Sequence, residues 1–122
     1  MKILVIDEKG RNGKIYKMLD LIIKENKIIE THDISKELSN MQNMQYDLIV
    51  IDFDRTRIQN GDFKVIFDVR CKTQVPILVT LDTCKTRDKL HVLNMKADAY
   101  MEKPINVDEF ERKILQLLHK IP

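Results

Sequence analysis

Short apolar runs ended by acid alternate along this chain with stretches whose apolar residues recur at helical spacing. KILVI (2–6) stops at Asp7 and Glu8, the pattern of a strand buried on both faces. Ile15, Met18, Leu19, Ile22 and Ile23 then recur every three or four positions, which predicts a helix over roughly 12–25. KIIET (27–31) reads as a second strand, and Ile34, Leu38 and Met41 mark a short helix with Asp33 as its N-cap. DLIVI (47–51) is a third strand. Phe63, Ile66 and Phe67 mark a third helix, PILVTL (76–81) a fourth strand, Leu90, Leu93 and Asn94 a fourth helix, and DAYM (98–101) a short fifth strand. The last helix carries one apolar stripe, Val107, Phe110, Ile114, Leu117 and Leu118. Asn106 and Glu109 stand before it at the spacing of a capping box.

Strands alternating with helices define an α/β chain: a doubly wound, five-stranded parallel sheet with five helices on both faces. Right-handed crossovers leave few topologies. The expected strand order is 2-1-3-4-5, with a ligand crevice beyond the carboxyl ends of strands 1 and 3, where the order reverses. Composition fits this. The 122 residues, 43% hydrophobic and 33% charged, suit one globular domain over 1–122 with a core that needs no disulfide or structural metal. A net charge of +2 with both signs scattered argues against direct nucleic-acid binding. Cys71 and Cys84 lack disulfide or zinc spacing and read as small buried or half-buried thiols. His32, His91 and His119 show no metal or nucleophile–base spacing. No run reaches membrane-spanning length, and the N-terminal apolar run ends at Asp7 without the plan of a signal peptide. The expected location is the cytoplasm.

The acids give the crevice its chemistry. In the expected order, Asp7 and Glu8 at the tip of strand 1 neighbour Asp52 at the tip of strand 3, with Asp54 just beyond. Carboxylates that close raise one another's pKa unless a cation intervenes. A hard divalent ion such as Mg²⁺, held by a few carboxylates, waters and phosphate oxygens, would relieve them. Lys103 follows strand 5 in YMEKP (100–104). A carboxylate nucleophile, a metal cage and an ammonium together suit phosphoryl transfer to an aspartate.

ILVIDE (3–8), YDLIVID (46–52), VPILVTL (75–81) and ADAYMEKP (97–104), followed by the capped helix, resemble the receiver domain of bacterial response regulators over essentially the whole chain. The resemblance implies a switch that takes a phosphoryl group from a sensor histidine kinase, with Mg²⁺, and is not a turnover enzyme. It makes Asp52 the phosphoacceptor and places the metal at Asp7, Glu8, Asp52 and the backbone carbonyl of Asp54. Lys103 becomes the phosphoryl-binding lysine, Lys103–Pro104 a cis peptide, and Tyr100 the aromatic switch residue. The implied output face is helix 4, strand 5 and helix 5. Lys89 and Glu109 stand there as candidates to pair across a homodimer, although Ala99 removes one acidic partner. LLHKIP (117–122) leaves two readings open: an output domain, such as a DNA-binding one, beyond the C-terminus, or a single-domain protein.

Several positions depart from the family. Counting forward from Pro76 and back from Lys103 puts the family's Thr or Ser on Leu81, which cannot donate a hydrogen bond. Period-two alternation then points Thr80 to the opposite face unless a bulge brings it in; Thr83 is a more distant substitute. Arg55-Thr56 replaces Met-Pro, Glu8 the usual Asp, and Lys96 the usual Gly. Arg55 and Arg57 are candidates to assist phosphate binding. The Leu81 departure motivates an alternative, a phosphorylation-independent pseudo-receiver that acts as a protein-interaction module. A flavin carrier of the same topology is a third class, but the acids of DEKGRNGK (7–14) would repel a flavin phosphate.

Overall fold

A computed structural model of the chain describes residues 2–7, 13–22, 27–31, 38 and 46–119. Its elements are β1 (Lys2–Ile6), α1 (Lys14–Ile22), β2 (Lys27–Thr31), β3 (Leu48–Phe53), α2 (Arg55–Gln59), α3 (Lys64–Arg70), β4 (Ile77–Leu81), α4 (Thr86–Asn94), β5 (Ala99–Glu102) and α5 (Val107–His119). The strands form one parallel sheet in the order β2-β1-β3-β4-β5. β1, β3 and β4 are buried along nearly their whole length, which is why they read as unbroken apolar runs.

Alternation along these strands builds two cores. Ile3, Val5, Leu48, Val50 and Leu78 face one way, against Ile15 and Leu19 of α1 and Phe110 and Ile114 of α5. Leu4, Ile6, Ile49, Ile51, Phe53, Ile77, Val79 and Leu81 face the other way, against Phe63, Ile66 and Val69 around α3 and Val92 of α4. Each fully buried Leu, Ile or Phe contributes about 1.5–3 kcal/mol, so the strands are held rigidly by their middles. Polar groups gather at the strand ends, and the carboxyl tips are one of the two places where they do.

Caps and clamps fix the ends. Asn106 Oδ1 accepts from the Asp108 and Glu109 amides at 2.8 and 3.2 Å. At the opposite end of β4, Asp98 Oδ2 accepts from the Ile77 amide at 2.7 Å and pairs with Arg70. Arg70 also donates to the carbonyls of Thr73, Val75 and Lys96.

Two features differ from the sequence expectation. β3 runs on to Phe53, which carries Asp52 inside the strand. A short helix, α2, stands where a loop is expected, because Asp54 Oδ1 caps it by accepting from the Arg57 amide at 2.9 Å. The expected helix around Ile34–Met41, with Asp33 as cap, lies outside the described residues apart from Leu38, which is half-buried against the second core.

Lys96, where the resemblance expects glycine, closes α4 in the left-handed region at φ 79°. A side chain is strained there by roughly 1–2 kcal/mol, and glycine at such a closing position avoids the strain. Replacing Lys96 with Gly should raise stability by about 0.5–1 kcal/mol, the gain being reduced by glycine's freer unfolded chain. Urea denaturation measures it; a loss of stability would show that Lys96 makes compensating contacts.

Candidate functional site

The register decides what meets at the tips. Ile6 of β1 pairs with Ile51 of β3, so Asp7 and Asp52 come next on adjoining strands. Asp52 pairs with Thr80 of β4, and Thr80 with Met101 of β5. Leu48, Val50 and Asp52 alternate onto the α1–α5 face, as do Leu78 and Thr80. The rigid apolar middle of β3 thus delivers a carboxylate that is 6% exposed, beside Asp7 at 4%.

Burial of a charge is tolerable only if it is paired and hydrogen-bonded. Asp52 Oδ1 meets Lys103 Nζ at 2.7 Å and accepts the Thr80 hydroxyl at 2.7 Å. Among the described residues its Oδ2 takes no hydrogen bond. Lys103 is positioned by its amide, which donates to the Leu81 carbonyl at 2.7 Å, and its peptide bond to Pro104 is cis. Burial alone would push the Lys103 ammonium down. The hydrogen bond and charge of Asp52, with the charge of Asp82, outweigh it and hold Lys103 above the ordinary lysine value.

The hydroxyl position therefore needs correcting. Leu81 pairs with Phe53 and is fully buried in the core on the α3–α4 face, so it does not face Asp52. Thr80 does, in a regular strand and without a bulge. Spacing from Pro76 and Lys103 counts along flanking turns, where one residue is easily absorbed; the ladder fixes parity, and parity selects Thr80. Thr83 is exposed and has no part in the site.

The other expected residues separate. Asp7, Asp52, Asp54 and Lys103 line one cleft of about 240 Å³ with Gly13, Lys14, Ile15 and Asp82. Glu8 lies outside the described residues. Asp54 uses its side chain to cap α2, and its carbonyl accepts from the Ile58 amide at 3.1 Å. A metal contact through that carbonyl would use its second lone pair. Arg57 turns from the cleft: its guanidinium sits 4.7 Å from the Phe53 ring centroid and donates to the Asp52 carbonyl. Arg55 meets the cleft through its amide, which donates to Asp82 Oδ2 at 2.8 Å. Asp82 itself escapes the motif comparison. The same signal that marks Asp7 and Asp52, an acid at the end of an apolar run, marks it too.

Oxygen donors alone line the acidic part of this cleft, as a hard cation prefers. Among the described residues no three His, Cys, Asp or Glu side chains stand close enough to hold a metal by themselves, so waters or Glu8 must complete any coordination.

Tyr100 is half-buried against the α3–α4 core and pairs with Val79, so it lies on the face opposite Thr80. Lys89 is engaged within the chain, with Glu102 Oε2 at 3.3 Å. Glu102 also accepts from the Cys84 amide at 3.2 Å. That bond and the Lys89 hydrogen bond hold its carboxyl low. Burial, then the Glu102 charge, push the Cys84 thiol up, away from thiolate reactivity. His91 stands edge-on to Phe63, a packing role.

A buried aspartate paired with lysine and threonine at the switch point of this sheet is the arrangement of a response regulator receiver domain, and the chain folds as one. It is similar to response regulators over nearly its full length. The response regulator ArlR of Staphylococcus epidermidis is 26% identical over 121 residues, covering 98% of this chain and 53% of the relative. The transcriptional regulatory protein CiaR of Streptococcus pneumoniae is 28% identical over 119 residues, covering 97% and 51%. The chain thus spans about half the length of the curated relatives it matches. Among solved structures, a two-component response regulator from Clostridium difficile superposes with TM-score 0.79 at 23% identity, covering 99% of this chain and 98% of that one. The receiver domain of a sensor histidine kinase from Pseudomonas aeruginosa, with a magnesium ion in its active-site cleft, gives 0.74 at 17% identity over 97% of both chains. No family model matches. No helix among the described residues is long and apolar enough to cross a membrane.

Thr80 and Leu81 should respond differently to substitution. Thr80→Val keeps the shape but removes a donor to a buried carboxylate, an expected loss of about 1–3 kcal/mol. It should also shift the Asp52 carboxyl carbon resonance. Leu81→Ala opens a cavity for about 2–5 kcal/mol and should leave that resonance in place. Urea denaturation and carbon-detected NMR check both, and a resonance that moves only with Leu81 would reverse the assignment.

Proposed function

We propose that this domain accepts a phosphoryl group on Asp52 from a phosphohistidine of a sensor histidine kinase, and that the added charge shifts its surface between two states. One observation carries the reading. Asp52 is a buried carboxylate whose Oδ1 is held by an ammonium and a hydroxyl, while Oδ2 accepts no hydrogen bond among the described residues. Already an anion, it attacks phosphorus with its own lone pair and needs no general base. The donor P–N bond breaks and its electron pair leaves with the imidazole. Lys103 and Thr80 then stand ready to donate to phosphoryl oxygens.

Asp7, Glu8, Asp52 and the Asp54 carbonyl are the groups that would hold Mg²⁺. When bound, the ion neutralises charge on the phosphoryl oxygens. The magnesium-containing neighbour supports this by likeness of fold. The phosphorylated aspartate is itself the signal, so the domain is a switch and not a turnover enzyme. A kinase charged by ATP places it in the cytoplasm. The names of curated relatives, a probable transcriptional regulator and a transcriptional regulatory protein, point to transcription as the output, and we infer that a separate DNA-binding domain would carry it. Leu90 and Leu93 are exposed on α4 and give the α4–β5–α5 face apolar surface for a second copy to cover.

The pseudo-receiver reading rests on a missing hydroxyl, and Thr80 removes that ground. The flavin reading needs a phosphate-binding cleft, whereas Asp7, Asp52, Asp54 and Asp82 line this one.

Incubation with acetyl phosphate and Mg²⁺ should add the mass of one phosphoryl group to the intact protein. Asp52→Asn should abolish the gain, and so should chelation of the metal. A folded protein that gains nothing at saturating donor would sink the reading.

A further inference from the structure

Lys103 serves two carboxylates. Its Nζ lies 2.7 Å from Asp52 Oδ1 and 3.5 Å from Asp82 Oδ1. Asp82 is not a loose surface acid. Its amide donates to the Phe53 carbonyl at 3.1 Å, its Oδ2 accepts from the Arg55 amide at 2.8 Å, and its side chain is about one-third exposed at 32%. The two bonds tie β4's exit to β3's exit and leave the other carboxylate oxygen turned to the ammonium. Both carboxylates line the same cleft.

We propose that Asp82 is a fixed counter-charge that limits phosphorylation of Asp52 by sharing Lys103 and repelling the phosphoryl group. The inference rests on the receiver reading above. Its physics is differential. Phosphorylation replaces one negative charge at Asp52 with about two, and the new charge sits further out, on the cleft side where Asp82 stands. A stationary anion there disfavours the phosphorylated state more than the unmodified one. The phosphoryl oxygens also need the ammonium that Asp82 holds. Lys14, which also lines the cleft, is exposed and screened by water, so it offsets this weakly.

Asp82→Asn separates charge from shape, because the amide oxygen can still accept from Arg55. At sub-saturating acetyl phosphate with Mg²⁺, its phosphorylated fraction should exceed that of the parent protein by about threefold or more. Asp82→Glu, which keeps the charge, should stay near the parent. A second readout needs neither metal nor donor: at one fixed pH the Lys103 Cε resonance in carbon NMR should move in Asp82→Asn and stay near the parent's position in Asp82→Glu. Matching melting temperatures show that both variants fold. Equal phosphorylated fractions in parent and Asp82→Asn would overturn the inference. Phosphorylation of Asp82→Asn alone would support it strongly. If neither protein takes the group, the receiver reading has failed. The Lys103 resonance then decides alone: a shift in Asp82→Asn that Asp82→Glu does not show supports the hold of Asp82 on Lys103, and an unmoved resonance overturns it.

Discussion

Everything at the functional end of this domain depends on keeping a carboxylate ionised where water is scarce. Asp52 is nearly as buried as the leucines behind it, and an isolated charge there would neutralise by taking a proton. The Lys103 ammonium and the Thr80 hydroxyl converge on one of its oxygens. Neither partner is near Asp52 in sequence. β4 brings one and the turn after β5 brings the other, so the ion pair reports that three strands have docked in register. Removing Lys103 would leave a buried charge unpaired, which commonly costs on the order of 3–5 kcal/mol. The strands beneath supply the stability that makes such an arrangement affordable.

Much of this was legible in the sequence, and the boundary of legibility is physical. β1 and β2 run where the sequence expects them, Lys2–Ile6 and Lys27–Thr31, and β1 reads as an apolar run after Lys2 because it is buried along nearly its whole length. α5 was plain from its stripe and its Asn106 cap. α2 was not, since five residues with Ile58 as the one large apolar side chain have no periodicity to detect; the helix exists because Asp54 caps it. The tips of β1, β3 and β5 announced the acids and the lysine. Thr80 stood only as a substitute needing a bulge, because motif spacing, which runs through turns of variable length, put the position on Leu81, while facing is set by the ladder. Asp82 was missed because the family pattern offers no role for it, although its place after an apolar run resembles that of Asp52.

Reassigning the hydroxyl changes what kind of protein the chain can be. With leucine facing the acceptor, the acidic cleft would be a remnant and the fold an interaction module. With Thr80 facing it, the acceptor, the lysine and the hydroxyl all meet at one oxygen. Leu81 then needs no functional account: it fills the core against which α3 and α4 pack. Asp82 follows β4 directly and is held there by the Phe53 carbonyl and the Arg55 amide, which puts a further acid on the cleft.

The same parity governs how a change at Asp52 reaches the surface. Thr80 lies on the α1–α5 face and Tyr100 on the opposite one, yet Thr80 pairs with Met101 and Val79 with Tyr100 on adjoining strands. No side-chain contact need pass directly between hydroxyl and ring. On the proposed reading, a shift of Thr80 toward a phosphoryl oxygen would displace the carboxyl end of β4, and the ladder would hand that displacement to β5, where Tyr100 lines a groove with Glu109 and Arg112 of α5. Glu102, at the end of β5, is held by Lys89 and the Cys84 amide, so the start of α4 is tied to the same strand. The backbone, stiffened by packing on both faces, is then the element that would couple the buried carboxylate to this surface, and Lys103, two residues beyond Met101, is the point at which charge and strand position meet.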